Sequence, residues 1–208
     1  ETRSTMSRLL GIRADRLASY ASAELARAVV ALREVKEPAE IEEIERACET
    51  AGKMHRLAMR ICRPGITERE IAGAIEGVAL QHGAGVSFPA IVAQHGETLH
   101  NHYYDHVLQS GRLMLIDAGA ETAMNYCSDF TRTFPVNGRF TGRQKDVYDI
   151  VLAANDRTFE LAGPDTFYYR MHNGASMVIA ESFFVAAVTS DGYRAIPESA
   201  LRDCLAAS

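Results

Sequence analysis

Asp117 closes the apolar run LMLID, and Asp129 opens the aromatic and β-branched run DFTRTFPV a short distance downstream. If the two runs are adjacent antiparallel strands, residues leaving the first and entering the second return to the same height, and the two carboxylates can face each other across the ladder. Like charges so placed repel unless they share a proton or a cation sits between them. Oxygen donors on a stiff hairpin suit hard divalent ions such as Mn²⁺ or Mg²⁺. A carboxylate bridging two such ions holds them about 3.5–4 Å apart, where a shared water becomes a hydroxide nucleophile. The spacing equally admits an Asp that only caps a turn. A second cluster, HNHYYDH, puts His100 and His102 on one side of any extended segment, with Asp105 and His106 following. Such histidines could bind metal, pass protons or line a solvated loop; the residues by themselves favour the loop.

Several elements must position these groups. LMLIDAGA is continuously apolar and flanked by glycines, which favours a strand over a helix. NYCSDFTRTFPV reads as its partner strand, with AGAETAM as the connection, and VSFPAIVAQ as a further strand. Residues 8 to 33 read as one helix that LREVKEP closes, because Pro38 lacks an N–H and biases Glu37 away from helical geometry. A second helix starts at Pro38, with Glu40, Glu42 and Glu43 beside its positive end and an apolar stripe through Ile41, Ile44, Ala47, Ala51, Met54, Leu57 and Ile61. Thr67 and Glu70 form a capping-box pattern ahead of a third helix that runs to about Gln81. Thr141 caps a fourth, which stops at Gly163-Pro164. YRMHNGASMVIAESFFVAAV reads as a fifth helix, unless Asn173-Gly174 is a turn before a strand, and SDGYRAIPESALRDCL as a turn with a short amphipathic end.

The 208 residues allow one domain, or one domain with a fragment of another, and 47% hydrophobic against 24% charged residues is an ordinary globular balance. The net charge of −5 comes without a long run of one sign, so no nucleic-acid partner is expected. Cys48, Cys62, Cys127 and Cys204 form no C-x-x-C pair, which argues against a zinc knuckle or redox dithiol and for mostly buried thiols. No stretch is long and apolar enough to span a bilayer, so a cytoplasmic, reducing location is expected.

The run LMLIDAGAETAMNYCSDFTRTFPV resembles the metal-binding hairpin of aminopeptidase P and prolidase, pita-bread metallopeptidases whose motif reads apolar-D-A-G-A/C-E, a short connection, then D-x-T-R-T-F. The likeness extends through LREVKEPAEIEEIERA, RPGITEREIAGAIE, TLHNH and QKDVYDIVLAAND, roughly residues 30 to 160. It implies an α+β, incomplete pita-bread fold: an antiparallel curved sheet with helices packed on its outer face. Residues 1–35 would be an N-terminal helix or linker, the remnant of an upstream domain, and 36–208 a partial catalytic domain. The implied activity is a metal-dependent aminopeptidase that removes the residue preceding proline from a peptide with proline at the second position, using two divalent ions, Mn²⁺ by preference. Asp117 and Asp129 would be metal ligands, one on a single ion and the other bridging both. Thr131 and Arg132 would orient those carboxylates or balance their charge, although both could be ordinary strand residues. His100, aligned through Leu99, would donate to the scissile carbonyl or the tetrahedral intermediate, with His102 the weaker candidate for the substrate site.

The family's site has five protein ligands, and the later His and two Glu segments are not found here. His172 and Glu181 instead match a helical Y-x-x-V-H-x-x-A-x-x-V-I-A-E pattern remote from the metals. VTSDGYRAIP resembles the family's terminal V-T-E-D-G-Y-R, so a stretch carrying His, Glu and Glu is expected to be missing between about Val185 and Val188. Two ligands would hold the ions loosely, and the lost sheet would expose edges that favour a homo-oligomer. The alternative to an enzyme is therefore a non-catalytic remnant that serves as a peptide- or partner-binding module.

Overall fold

A computed structural model describes residues 2–189, with side chains to residue 182. The expected turn and amphipathic end over 190–205, and the VTSDGYRAIP likeness beyond Thr189, lie outside the described residues. The secondary structure runs α1 (Thr2–Leu10), a 3₁₀ helix (Ala14–Tyr20), α2 (Ala23–Glu34), α3 (Pro38–Ile61), α4 (Glu68–His82), β1 (Gly85–Val86), β2 (Ile91–Ala93), β3 (Leu113–Ala118), β4 (Ala120–Glu121), β5 (Phe130–Pro135), α5 (Gly142–Leu161) and α6 (Tyr168–Thr189). β2, β3 and β5 form one sheet in the order β2-β3-β5, and β1 pairs antiparallel with β4. The packing divides the chain into two compact units, Glu1–Cys62 with Thr67–His106 and Leu115–Arg132, and Arg63–Ile66 with Val107–Met114 and Thr133–Ser208.

In the first unit, α3 begins where proline demands. Pro38 is the first helical residue, and Glu37 and Glu40 cap each other reciprocally. Its buried stripe is Ala47, Thr50, Ala51, Met54, His55 and Ala58, rotated from the expected one. Leu57 and Ile61 are only half-buried, and Ile41 is exposed. Small alanines let the helix backbone approach the hairpin, and two polar side chains come inside with them. In α4, Thr67 accepts from the Glu70 N–H and the Glu70 carboxylate accepts from the Thr67 N–H at 2.8 Å. Thr67→Ala is expected to remove about 1 kcal/mol of stability, read as a lower midpoint in urea at unchanged slope. Ile71 and Ile75 of α4, Met54 of α3, Val92 of β2 and Ile116 of β3 are the large core side chains of this unit. Each contributes about 1.5–3 kcal/mol by leaving water.

Four further expectations need correction here. The helix read over 8–33 is broken into α1, the 3₁₀ helix and α2, because Gly11 takes a left-handed φ of 64° that ends α1. VSFPAIVAQ is two short strands, since Pro89 sits between Val86 and Ile91 and cannot donate to a ladder. NYCSDFTRTFPV is regular only over Phe130–Pro135, with one isolated bridge between Cys127 and Glu121. The thiols differ as well: Cys48 and Cys62 are half-buried and Cys127 is exposed. Burial still pushes the Cys62 thiol up to about 11.

In the second unit, Thr141 caps α5 as expected, and α6 is helical straight through Asn173-Gly174. The glycine is there for packing rather than for a turn. A Cβ at Gly174 would come within 2.3 Å of Leu161 Cδ1, so a larger residue here would require the Leu161 side chain to turn aside. No helix among the described residues is long and apolar enough to cross a membrane.

Candidate metal centre

The hairpin register is set at its tip. The Ser128 N–H donates to Ala120 O at 3.0 Å, the Thr122 N–H to Tyr126 O at 2.9 Å, and Glu121 bridges Cys127 antiparallel. Asn125 turns the chain with a left-handed φ of 62°. Carried into the strands, this register sets Asp117 opposite Thr131, so Asp129 lies two residues along on the same face. The carboxylates are thus diagonal neighbours rather than a directly opposed pair. The other face is taken by α3: Ser128 Oγ donates to Ala47 O at 2.9 Å, and Tyr126 donates to Glu40 Oε1 at 2.7 Å. Asp117, Asp129 and Thr131 therefore share the face turned away from that helix.

Desolvation, then the Asp117 charge and a hydrogen bond with Asp117, hold the Asp129 carboxyl above the usual carboxylate range. Asp117 Oδ1 is buried and has no hydrogen-bond partner. An unpaired buried carboxylate oxygen is costly and marks where a cation or a proton donor belongs. Two hard oxygen donors with one orphan therefore fit a hard divalent ion. Among the described residues no three His, Cys, Asp or Glu side chains converge to hold a metal, so the hairpin supplies part of a coordination shell.

The pH consequence follows from the direction of that shift. A carboxyl raised in the folded state stabilises fully below its unfolded pKa, and this contribution is lost as pH rises through the folded value. The metal-free chain is thus expected to lose stability as pH climbs from about 4. Asp129→Asn should raise its melting temperature near neutral pH and leave it unchanged in acid. Equal effects at both pH values would show that the pair carries no electrostatic strain.

The other candidate residues separate. Alternation places Thr131 on the carboxylate face and Arg132 on the opposite one, where its guanidinium lies 5.6 Å from the centre of the Phe130 ring and Nη1 donates to Thr131 O at 2.7 Å. His100 is exposed, with a left-handed φ of 54°. His102 Nδ1 is 3.5 Å from Ala90 O, and Tyr104 donates its hydroxyl to the same carbonyl. His172 and Glu181 are in α6, as their pattern implies.

Two groups were not singled out by sequence reasoning. Glu68, the first residue of α4, is fully buried. Its Oε1 accepts the Gln94 N–H at 2.9 Å, and its Oε2 lies 3.0 Å from His106 Nδ1 and 3.3 Å from the His106 N. It grips both ends of the loop bearing His100 and His102. The His95 and His106 rings sit 4.9 Å apart across that loop. A glutamate in the first turn of a helix ordinarily faces solvent, so nothing in the sequence marks its burial. The second is His55, buried on α3, with Nε2 3.2 Å from Ala118 O. Its signal was legible: it continues Ala47 and Ala51 at helical spacing, placing a titratable ring on the buried stripe.

A partial α+β pita-bread fold presenting an aspartate hairpin defines the class. The chain matches metallopeptidase family M24 over residues 42–199, and it belongs to that family. Among its relatives, the Escherichia coli Xaa-Pro aminopeptidase is 41% identical over 138 residues, covering 65% of this chain and 31% of the relative. A probable Xaa-Pro aminopeptidase of Sordaria macrospora is 32% identical over 170 residues, covering 80% and 29%. Pseudomonas aeruginosa aminopeptidase PepP superposes with a TM-score of 0.73 at 30% identity over 83% of this chain and 38% of that one. Zinc-substituted E. coli aminopeptidase P in complex with product gives 0.72 at 34% identity over 76% and 37%. The chain spans about a third of the length of the curated relatives it matches.

Proposed function

We propose that this chain carries the aspartate-hairpin part of an Xaa-Pro aminopeptidase, cleaving the bond between a first residue and a following proline. The observation that carries this reading is the pairing of Asp117 and Asp129 on one face, with a buried Asp117 oxygen left unpartnered. In it, the two carboxylates would hold divalent ions, Mn²⁺ by preference, which requires both to be deprotonated. When bound, the ions polarise the scissile carbonyl and lower the pKa of a coordinated water. Thr131, on the carboxylate face, steadies the ligands. His100, exposed on the loop that Glu68 grips at both ends, hydrogen-bonds the carbonyl oxygen as it gains charge. His102 is the poorer candidate for that role, because its Nδ1 faces the Ala90 carbonyl. The unbridged thiols of Cys48 and Cys127 suit a cytoplasmic setting.

The test titrates the chain with Mn²⁺ and follows release of the first residue from an Xaa-Pro peptide. Saturable, metal-dependent turnover that Asp129→Ala abolishes is the expected result. A folded chain that binds such peptides without turning them over would replace this reading with the non-catalytic binding module. Activity unchanged in Asp129→Ala would remove the hairpin from the site altogether.

A further inference from the structure

His55 Nε2 lies 3.2 Å from Ala118 O, so that ring nitrogen carries the proton and donates it. Ala118 is the last residue of β3, Gly119 breaks the strand, and β4 starts at Ala120. The imidazole therefore takes the carbonyl at the break itself, on the Ala118–Gly119 peptide, one residue beyond Asp117. The ring is only 5% exposed. Burial, as the largest influence, holds its pKa below the usual histidine range, so it is neutral and adds no charge beside the carboxylates.

The other nitrogen decides between packing and positioning. Nδ1 is buried with no hydrogen-bond partner, and the second such orphan among the described side chains is Asp117 Oδ1. A residue needed only to fill space here would be a leucine or a methionine, which carry no unsatisfied nitrogen. What those side chains lack is the Nε2–H. We propose that His55 is a positioning residue for the carboxylate pair: by holding the Ala118 carbonyl at the β3–β4 break, it fixes the direction in which Asp117 presents its side chain to a cation. This rests on the reading of Asp117 and Asp129 as cation ligands. His55 serves the site through the backbone, because its Nε2 is committed to the Ala118 carbonyl. It acts as an outer support, of the kind whose loss weakens metal binding without touching the ion.

Two variants and two readouts test the proposal. His55→Leu removes the donor while keeping an apolar filling, and His55→Gln restores an amide N–H. In the metal-free chain, amide hydrogen exchange at Ala120 and Ser128 is expected to accelerate about tenfold in His55→Leu and to recover in His55→Gln, with α4 amides unchanged as the control for global unfolding. Mn²⁺ affinity by calorimetry is expected to fall about 10- to 100-fold in His55→Leu and to recover largely in His55→Gln. Unaltered exchange at the break, or unaltered Mn²⁺ affinity in a wild-type chain that binds the ion, would reduce His55 to core packing. If the wild-type chain takes up no Mn²⁺ while the exchange effect stands, the cation-site reading fails and the hold on the hairpin survives. Equal acceleration in α4 would make the effect one of overall stability and overturn the inference.

Discussion

Gly119→Ala is expected to cost more than about 3 kcal/mol, beyond the usual range for overpacking a core. A Cβ at this position would lie 1.7 Å from Ser128 O and 2.4 Å from Ser87 Oγ. Neither neighbour can give way cheaply. Ser87 Oγ donates to that same Ser128 oxygen at 2.7 Å, and the Ser128 side chain is tied in turn to Ala47 O and to the Ala120 N–H. The Ser87 N–H also takes the Gly119 carbonyl at 3.1 Å, so β1, the hairpin and α3 meet at one crowded point. A methyl group must push the two hairpin strands apart between Asp117 and Asp129. Urea unfolding reads the loss, and Mn²⁺-induced stabilisation should vanish along with it. A variant within about 1 kcal/mol of wild type would mean that the strands open easily here and that the site has no fixed geometry.

Glu68→Ala is expected to cost about 3–5 kcal/mol, because it strands the Gln94 N–H and both His106 donors at about 1–3 kcal/mol each, with part of that loss relieved by water. Glu68 is fully buried, and Gln94 is nearly so. Glu68→Gln keeps one accepting oxygen and turns an NH₂ toward the other donors, so its stability should fall between the two. The local signature is separate from the global one. The loop from His95 to Asp105 should become cleavable by protease under conditions where α4 and α3 remain folded, because Glu68 is the one buried group that ties both of its ends, and the Arg69–Asp105 ion pair that also reaches its far end is exposed. If Glu68→Ala melts with no earlier cleavage in that loop, the carboxylate is a core group only and does not hold the loop bearing His100 in place.

How much of this was legible beforehand depends on the range of the interaction concerned. The caps at Pro38, Thr67 and Thr141 and the stop before Gly163-Pro164 were read correctly, because each is decided by a few neighbouring residues. The aspartate hairpin was legible for a related reason: its two strands are consecutive and joined by a tight turn, so the contact that matters is local in sequence. Even there the sequence yielded a pair facing each other, whereas the register at Asn125 makes the two carboxylates diagonal. Gly11 and Pro89 act on the elements that flank them, the one ending α1 and the other separating β1 from β2.

By itself, then, the amino-acid sequence determined the starts of the helices capped at Pro38, Thr67 and Thr141 and the hairpin that brings two acidic residues together, because propensity, capping and alternation act over a handful of residues. Only the tertiary structure decided that Glu68 is buried under a loop nearly forty residues away, that His55 reaches across to Ala118, and that Gly119 stands where another segment leaves no room for a methyl group. Those outcomes depend on which surfaces meet. Burial and close approach are properties of two segments at once, and no window along one of them contains the other.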